Sequence, residues 1–296
     1  MDRKIIRRPP PKLESTRLKE YLATSKTESR LLGPLDRHIM LKADASHRRT
    51  DVLHPSEIVK PDWCHRASYH LLCGATKPPE VKRLRSENVF TTGHEVHVKY
   101  QKWLYEMGAL VGEFRCRSCG LRWWTQSPQS CGNCPSLSLV YDEVPVASTE
   151  HCIQGKADGW VRGLGADFLL EIKTIGPGTL RMEQPQLLID HDGDVIKAWR
   201  DIKRPFLNHR RQAGLYVELL HRTEQDAPSD IVFLYELKAT NETKEFVVRR
   251  RPELVADVFE AALDVVYAVQ HAQPPACSVN GRALCAKCRP FEQVCA

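Results

Sequence analysis

A long amphipathic pattern first appears between residues 89 and 107. Apolar and aromatic positions recur there at spacings of three, four and seven, which is typical of a helix with one buried face. These positions are Phe90, His97, Tyr100, Leu104 and Met107. Gly108 favours the end of this helix. Upstream, Pro61 suits the first turn of a shorter helix that runs through Cys64 to about Leu72. Ser56 is a plausible N-cap for another helix ahead of Pro61, so several helices are predicted ahead of any strand.

Strand patterns follow the long helix. Three short apolar or alternating runs are succeeded by a helix, two further strands and a last helix. The predicted strands are residues 139–146, 152–161, 168–174, 231–237 and 246–249, and the predicted helices are residues 205–220 and 252–269. A meander followed by a helix and another strand is typical of a mixed sheet flanked by helices. We therefore predict an α/β fold.

The composition is compatible with one substantial core and small appendages. The chain has 296 residues, of which 42% are hydrophobic and 27% are charged, and its net charge is +6. That modest excess permits binding to a polyanion without requiring it. Basic residues open the chain, namely Arg3, Lys4, Arg7 and Arg8. We predict a basic arm over residues 1–50 and the main domain over residues 51–296.

Hydropathy and cysteine usage indicate the compartment. No apolar run approaches the roughly 20 residues that cross a bilayer, and no apolar segment follows the basic start as in a secretory signal. We therefore expect a cytoplasmic protein without a membrane partner. Thiols stay reduced in that compartment. The 11 cysteines, which cluster in pairs, therefore favour metal ligation over disulfides.

Three charged residues interrupt the strand patterns. Asp158 ends the segment G-K-A-D, and Glu171 and Lys173 follow in the segment E-I-K. Adjacent antiparallel strands would bring Asp158 near Glu171, and residues two apart, such as Glu171 and Lys173, project from one face of a strand. Two close carboxylates repel, and a bound Mg²⁺ or Mn²⁺ removes that conflict. An ion pair at a sheet edge is the alternative interpretation.

Residues of two predicted helices extend this set. His97 can supply an imidazole to the same metal. Gln212 and Tyr216 are four residues apart and share one helix face, where both can donate to a phosphate or hold a catalytic residue in place. Taken alone, each of these residues is more typical of an ordinary amphipathic helix.

Together these residues form a known series of motifs. The order G-x-x-x-H, G-x-x-D, E-x-K and Q-x-x-x-Y resembles the RecB-like branch of the PD-(D/E)XK nucleases. In this chain it comprises Gly93, His97, Gly155, Asp158, Glu171, Lys173, Gln212 and Tyr216. One departure is Ala157, which stands where the family motif has proline before the aspartate. The resemblance implies a restriction-endonuclease-like fold, with Lys173 acting on the nucleophilic water. The metal ligands that it implies are His97, Asp158, Glu171 and the carbonyl oxygen of Ile172.

The segment 274–296 is rich in cysteine and contains Cys277, Cys285, Cys288 and Cys295. One early cysteine with three at the C-terminus resembles the iron–sulfur nucleases of this branch, which include the AddB nuclease domain and the CRISPR-associated exonucleases. The resemblance implies a [4Fe–4S] cluster that joins the N- and C-terminal parts. Its implied ligands are Cys64, Cys285, Cys288 and Cys295. A local zinc site that uses Cys277 is the alternative.

A second cysteine-rich segment, residues 112–138, is predicted to be an inserted zinc ribbon. Two C-x-x-C pairs converge on tetrahedral sulfur ligation, and they comprise Cys116, Cys119, Cys131 and Cys134. The arginines and tryptophans around them, including Arg115 and Trp124, can hold single-stranded nucleic acid or pack the ribbon on the core. Cys73 and Cys152 are predicted to be ordinary buried thiols.

The resemblance implies a Mg²⁺- or Mn²⁺-dependent deoxyribonuclease, with exonuclease activity on single-stranded DNA ends. DNA and proteins of recombination, repair or CRISPR adaptation are the expected partners. A non-catalytic DNA-binding accessory protein is the main alternative, and a zinc-ribbon RNA-processing factor is another. Mg²⁺-dependent digestion of single-stranded DNA separates the nuclease from the first, and cleavage of RNA but not DNA would indicate the second.

Overall fold

The structure is a computed structural model of the chain. It describes residues 30–43, 49–76, 83–224, 226–281 and 283–292. The basic residues that open the predicted arm, from Arg3 to Arg8, lie outside these ranges, as does Cys295. The chain divides into two compact units, one of residues 1–47 and 79–90 and the other of residues 48–78 and 91–296.

The smaller unit contains helix α1, Leu32–Ala43, and the start of helix α4, which spans Leu84–Glu106. The amide of Leu84 donates a hydrogen bond to Asp36 Oδ1 at 2.8 Å. A helix N-terminus leaves its first amides without backbone partners, and this carboxylate satisfies one of them. The division between a basic arm and a main domain at residue 50 stays a prediction.

Short helices precede the sheet in the larger unit. Helix α2 spans Pro55–Ile58 and helix α3 spans His65–Leu72. The predicted start of the second helix at Pro61 is wrong, because Cys64 is extended, with φ −100° and ψ 105°, and forms the N-cap. Cys64 therefore lies at the end of the helix and not within it.

A seven-stranded sheet forms the centre of the larger unit. Its strands follow the order β2-β1-β6-β7-β8-β9, and β3 pairs with β1. Strands β7 and β8 are parallel and all other neighbours are antiparallel. The strands are β1 Leu110–Cys116, β2 Arg122–Gln126, β3 Leu139–Tyr141, β6 Gly159–Val161, β7 Phe168–Ile175, β8 Asp230–Leu237 and β9 Thr243–Arg249. The predicted mixed sheet is confirmed.

Helices surround this sheet, and a two-stranded sheet stands beside it. Strands β4, Val144–Ser148, and β5, Ile153–Ala157, form that smaller sheet. The helices that follow β7 are α5 Pro177–Glu183, α6 Pro185–Asp190, α7 Val195–Asp201, α8 Leu207–Thr223, a 3₁₀ turn Pro252–Leu254, α9 Ala256–Gln270 and α10 Arg289–Glu292. Helices α5 to α7 occupy a polar stretch for which no helix is predicted.

Strand β7 separates two parts of the core. Leu169 and Ile175 belong to the main cluster, which also contains buried residues of α8. Leu170 and Ile172 belong to a smaller cluster with Val96 of α4. Since side chains alternate along a strand, Glu171 and Lys173 share the face of Leu169 and Ile175. Both faces of the strand are therefore covered by helices.

Two predicted strands are interrupted at acidic residues. The run 139–146 is divided between β3 and β4 near Glu143, whose φ is +67°. The run 152–161 is divided between β5 and β6 at Asp158. The prediction of one uninterrupted strand is therefore wrong in both cases. Both breaks lie at residues of the candidate site described below.

Two thiols differ from the prediction as well. Cys73 is exposed and Cys152 is only partly buried, so neither is an ordinary buried thiol. Cys73 follows the last residue of α3 and Cys152 lies in a turn with φ +50°. Within the described ranges, no helix is both long and apolar enough to cross a membrane.

Candidate active site

Asp158 occupies the break between β5 and β6 and is 9% exposed. Its Oδ2 accepts a hydrogen bond from the Ile172 amide at 2.7 Å. Its carbonyl oxygen accepts one from Gln101 Nε2 of α4 at 2.9 Å. These two hydrogen bonds satisfy the Ile172 amide and the Asp158 carbonyl, which find no β-ladder partner because the strand is interrupted at Asp158. The predicted approach of this strand to β7 is confirmed, because β6 and β7 are antiparallel neighbours.

His97 reaches the same carboxylate from α4. Its Nδ1 lies 3.1 Å from Asp158 Oδ1. Burial lowers the pKa of His97, but the hydrogen bond and charge of Asp158 outweigh it, so that pKa lies above its ordinary value. The imidazole and the carboxylate therefore belong to one electrostatic unit, as the sequence predicts.

Glu143 joins this pair, although the sequence analysis does not select it. Ligand atoms of His97, Glu143 and Asp158 all lie within 4.8 Å of one another. Gln101 Nε2 donates to Glu143 Oε1 at 3.4 Å. Burial, and then the charge of Asp158, raise the pKa of Glu143. Glu143 is thus held close to a second carboxylate, and the charges of Lys156 and His97 offset this only in part.

A close backbone approach positions Glu143. The carbonyl oxygen of Glu143 accepts a hydrogen bond from the Glu113 amide at 2.9 Å. A Cβ at Gly112 would lie 2.7 Å from that oxygen, so only glycine fits there. The sequence signal is slight. It consists of two acidic residues, Asp142 and Glu143, between two apolar runs.

Glu171 and Lys173 form an ion pair beside this group. Lys173 Nζ lies 2.6 Å from Glu171 Oε1, and Glu171 is 1% exposed. Burial raises the pKa of Glu171 to about 7 against the opposing charge of Lys173. Burial lowers the pKa of Lys173, but Glu171 and Asp158 raise it further, so the ammonium form is favoured. Glu171 does not belong to the group of His97, Glu143 and Asp158.

Helix α8 supplies the remaining predicted residues. Lys173 Nζ donates to Gln212 Oε1 at 3.3 Å, and Gln212 Nε2 donates to Tyr216 Oη at 2.8 Å. Tyr216 also packs over the motif glycine Gly155, where an added Cβ would lie 3.1 Å from Tyr216 Cε1. The same Cβ would lie 3.0 Å from Pro55, so a larger residue at position 155 would press on both Pro55 and the motif tyrosine.

These donor atoms fit a hard divalent cation. One imidazole nitrogen and two carboxylates match the preferences of Mn²⁺, and the carboxylates match those of Mg²⁺. A cation would also relieve the repulsion between the two carboxylates, since burial and then the charge of Asp158 raise the pKa of Glu143. The Ile172 carbonyl oxygen belongs to the residue whose amide already binds Asp158. Its role as a ligand stays a prediction.

The four cysteines of the predicted ribbon come together at the end of β1. We call them the ribbon thiol group, and they are Cys116, Cys119, Cys131 and Cys134. Their sulfur atoms lie within 4.8 Å of one another, with Cys116–Cys134 and Cys119–Cys131 both at 3.6 Å. A zinc–sulfur bond of about 2.3 Å places tetrahedral thiolates about 3.8 Å apart. A hydrogen bond from the Cys119 amide is the largest cause that lowers the pKa of Cys116 to about 6. This group fits zinc.

Arginines near the ribbon have structural partners. Arg115 and Arg122 both lie 3.0 Å from Asp142 Oδ2. Trp124 is 43% exposed and contacts Trp160 with ring centroids 5.9 Å apart. The two arginines therefore pack the ribbon on the sheet, as one of the two interpretations expects.

A second thiol group joins distant parts of the larger unit. We call it the C-terminal thiol group, and it contains Cys64, Cys277, Cys285 and Cys288. Cys277 thus lies together with Cys64 and does not replace it. Burial raises the pKa of Cys64, whereas backbone amides near Asn280 outweigh the burial of Cys277 and lower its pKa to about 6.

The spacing of the C-terminal thiol group fits one tetrahedral ion. The sulfur atoms of Cys64 and Cys277 are 3.9 Å apart, and those of Cys285 and Cys288 are 3.7 Å apart. A [4Fe–4S] cluster places four iron atoms between its thiolates and needs wider spacing. These four thiols therefore do not fit the cluster as they stand. The implied set with Cys295 falls partly outside the described residues.

Comparison with known proteins finds only distant similarity. No protein-family profile and no curated protein sequence matches the chain. The structure is similar to an alkaline exonuclease, LHK-Exo from Laribacter hongkongensis, at 12% identity and a TM-score of 0.43, and to LHK-Exo in complex with dAMP at 13% and 0.40. Each match covers 76% of this chain and 90% of the other. SSO0001 is similar at 12% and 0.36, over 80% of this chain and 84% of the other. At these scores the candidate function depends on the site itself.

Proposed function

We propose that the chain is a metal-dependent nuclease that hydrolyses phosphodiester bonds in DNA. The observation that supports this best is the convergence of His97, Glu143 and Asp158 beside a buried Glu171–Lys173 ion pair. An edge-strand ion pair alone does not account for an imidazole and a third carboxylate at the same place. A buried, charged set of this kind is typical of a catalytic centre.

We propose that His97, Glu143 and Asp158 hold Mg²⁺ or Mn²⁺. Glu171 and the Ile172 carbonyl oxygen would complete the ligand set that the family resemblance implies. A bound ion would neutralise charge on the scissile phosphate and lower the pKa of a water molecule. Gln101 positions two of the ligands, because it donates both to the Asp158 carbonyl and to Glu143. The ligand geometry therefore depends on α4.

Lys173 is proposed to act directly on the reacting atoms. Its ammonium group lies between Glu171 and Gln212, which restrict its orientation. A fixed positive charge there stabilises the negative charge that develops on the phosphate oxygens, and it orients the attacking water. Tyr216 holds Gln212 through its hydroxyl oxygen. Gln212 and Tyr216 are thus positioning residues, which set the rotamer of the catalytic lysine.

The family resemblance and the two thiol groups support further proposals about substrate, biological setting and structural metals. Single-stranded DNA ends are the proposed substrate, and recombination, repair or CRISPR adaptation is the proposed setting. The ribbon thiol group would hold structural zinc, and the C-terminal thiol group would hold one structural metal ion that joins α3 to the C-terminal segment.

The decisive test is digestion of end-labelled single-stranded DNA, duplex DNA and RNA by the purified full-length chain with Mg²⁺ or Mn²⁺. We expect Asp158→Ala and Lys173→Ala each to reduce DNA cleavage by about 10³-fold. Asp167→Ala, which removes an exposed carboxylate from the β6–β7 turn, is the matched control and should cleave like the wild type. Wild-type rates in Asp158→Ala, free of contaminating nuclease, would overturn the proposal.

Glu143 has a separate prediction. Glu143→Gln retains the size of the side chain but removes its charge, so we expect about a tenfold loss of cleavage and a higher Mn²⁺ requirement. Titration of the activity with Mn²⁺ measures both. An unchanged Mn²⁺ requirement would contradict metal ligation by Glu143 and would indicate that this residue only supports the backbone near Gly112.

A further inference from the structure

A cavity of about 640 Å³ lies next to the candidate active site. One wall is a single face of α4, formed by His94, Val98, Gln101 and Tyr105, which are spaced by four, three and four residues. The other wall comes from β1 and β3. The volume lies within the range of about 300–1,000 Å³ typical of small-ligand sites.

This cavity is continuous with the proposed catalytic group. Glu143 lines it and also lies within 4.8 Å of His97 and Asp158. Gln101 lines it too and holds both Glu143 and Asp158 by hydrogen bonds. A ligand in the cavity would therefore lie next to the phosphate that is cleaved.

The rings of Tyr105 and Tyr141 line the cavity among aliphatic side chains, and Phe114 supports them from behind. Phe114, which is 1% exposed, lies against Tyr105 and Tyr141, with ring centroids 5.8 Å and 5.1 Å away. Both tyrosine hydroxyls donate to backbone carbonyls, of Pro128 and Val111 respectively. Their rings are thereby fixed in place. Rigid aromatic walls suit a flat heterocycle, because base–aromatic stacking does not depend on base identity.

The charged residues that line the cavity favour a ligand that carries an anionic group beside its flat ring. Lys102, Arg117 and Lys156 line it. Asp142 also lines it, but this carboxylate is already paired with Arg115 and Arg122 at 3.0 Å. Glu143 is the other carboxylate that lines the cavity, so the three cations still exceed the carboxylates. A positive excess beside apolar side chains matches a base joined to a phosphate backbone.

We propose that this cavity binds an unpaired base of single-stranded DNA, next to the phosphate in the active site. The proposal rests on the proposed function for the position of that phosphate. A base in a duplex is stacked and paired, and it would have to leave the helix to enter. The cavity therefore selects single strands. Arg117 lies inside the first C-x-x-C pair, so metal in the ribbon thiol group would also shape this wall.

The test fills the cavity without disturbing the core. Val98 is 48% exposed on α4 and lines the cavity, so Val98→Trp adds bulk to it. The matched control is Val247→Trp on β9, where the side chain is 62% exposed. Both changes are made in full-length Asp158→Ala, which prevents digestion. Binding of a fluorescent single-stranded oligodeoxynucleotide and of a blunt duplex is then measured.

We expect Val98→Trp to raise the Kd for the single strand by about tenfold or more and to leave the Kd for the duplex unchanged. Val247→Trp should change neither. In the chain without either tryptophan change, an oligonucleotide that carries 5-iododeoxyuridine should crosslink on irradiation to peptides with Tyr105 or Tyr141. This second measurement remains informative even if Val98→Trp fails to fold.

Equal single-strand binding by the two tryptophan variants, crosslinks that map elsewhere, or no binding of single-stranded DNA at all would each overturn the base-binding proposal. A failure of the proposed function looks different. In that case the wild type cleaves no nucleic acid with Mg²⁺ or Mn²⁺, whereas Val98→Trp still weakens binding of the single strand.

Discussion

The ribbon thiol group and the C-terminal thiol group have the same ligands but are assembled in different ways. The cysteines of the ribbon thiol group all lie between residues 116 and 134, two at the β1–β2 turn and two in the β2–β3 connection. Cys64 precedes the sheet, and its partners Cys277, Cys285 and Cys288 follow the last long helix. The first group closes a local loop, whereas the second joins segments more than 200 residues apart.

The cysteines of the two thiol groups also differ in how deeply they are buried. The four cysteines of the C-terminal thiol group are between 0% and 5% exposed and pack with Ala67 and Phe291. Within the ribbon thiol group, Cys119 is exposed and Cys134 is half-buried. Loss of metal should therefore release a hairpin in one case and open the core in the other.

The largest effect is expected from Cys285→Ser. Structural metal binding contributes directly to folding, so we expect a loss of about 4 kcal/mol or more in the free energy of unfolding. Urea denaturation at pH 7 measures it. Cys73→Ser, at an exposed thiol near α3, is the matched control and should lie within about 0.5 kcal/mol of the wild type. Equal stability of the two variants would assign no structural metal to this group.

Metal content gives an equally direct comparison. The sulfur spacings predict one zinc ion in each thiol group, hence two per chain, and Cys119→Ser and Cys285→Ser should each remove one of them. Elemental analysis of anaerobically purified protein measures this. A brown protein with about four iron atoms per chain would contradict the spacing and would favour the cluster that includes Cys295.

The same contrast explains what the sequence can predict. C-x-x-C pairs fix a local geometry, so the ribbon thiol group follows from spacing alone. The C-terminal thiol group depends on how the chain returns to α3, which no local pattern records. The choice between Cys64 and Cys277 as the fourth ligand could therefore not be made from the sequence, and the family resemblance selected Cys64, whereas the structure brings both into one group.

Predictions in the candidate site divide in a similar way. His97 lies on helix α4 and Asp158 directly follows β5, both at motif spacing, and the structure brings them together. Glu143 depends on a residue with positive φ and on the close approach of Gly112, neither of which has a periodic signal. Glu171 has the expected strand position, and it forms an ion pair with Lys173 as the alternative interpretation held, but β7 lies between β6 and β8 and is not an edge strand.

A smaller effect is expected where the C-terminal segment meets α3. Glu292 lies 2.6 Å from Arg66 and 2.8 Å from His70, and the Arg66 hydrogen bond is the largest cause that lowers its pKa to about 2. A depressed pKa stabilises the fold above the ordinary value near 4.5, and this contribution is lost as pH falls towards 2. Glu292→Gln should therefore cost about 2 kcal/mol at pH 7 and almost nothing near pH 2.

The measurement is the difference in unfolding free energy between Glu292→Gln and the wild type, from urea denaturation at pH 7 and at the lowest pH at which both fold. Glu260→Gln, at an exposed glutamate of α9, is the control and should show no such dependence. A cost that is constant with pH would indicate lost packing rather than lost charge.

The smallest effect on stability is expected in the ribbon thiol group. Cys119→Ser should change the free energy of unfolding by only about 0.5 kcal/mol, because Cys119 is exposed and its hairpin lies at the rim of the sheet. Its Kd for single-stranded DNA should nevertheless rise about threefold, because Arg117 loses its fixed position beside the cavity. Denaturation and oligonucleotide binding on the same preparation separate the two effects. If Cys119→Ser destabilises the chain as much as Cys285→Ser does, the ribbon belongs to the cooperative core and the distinction between the two groups fails.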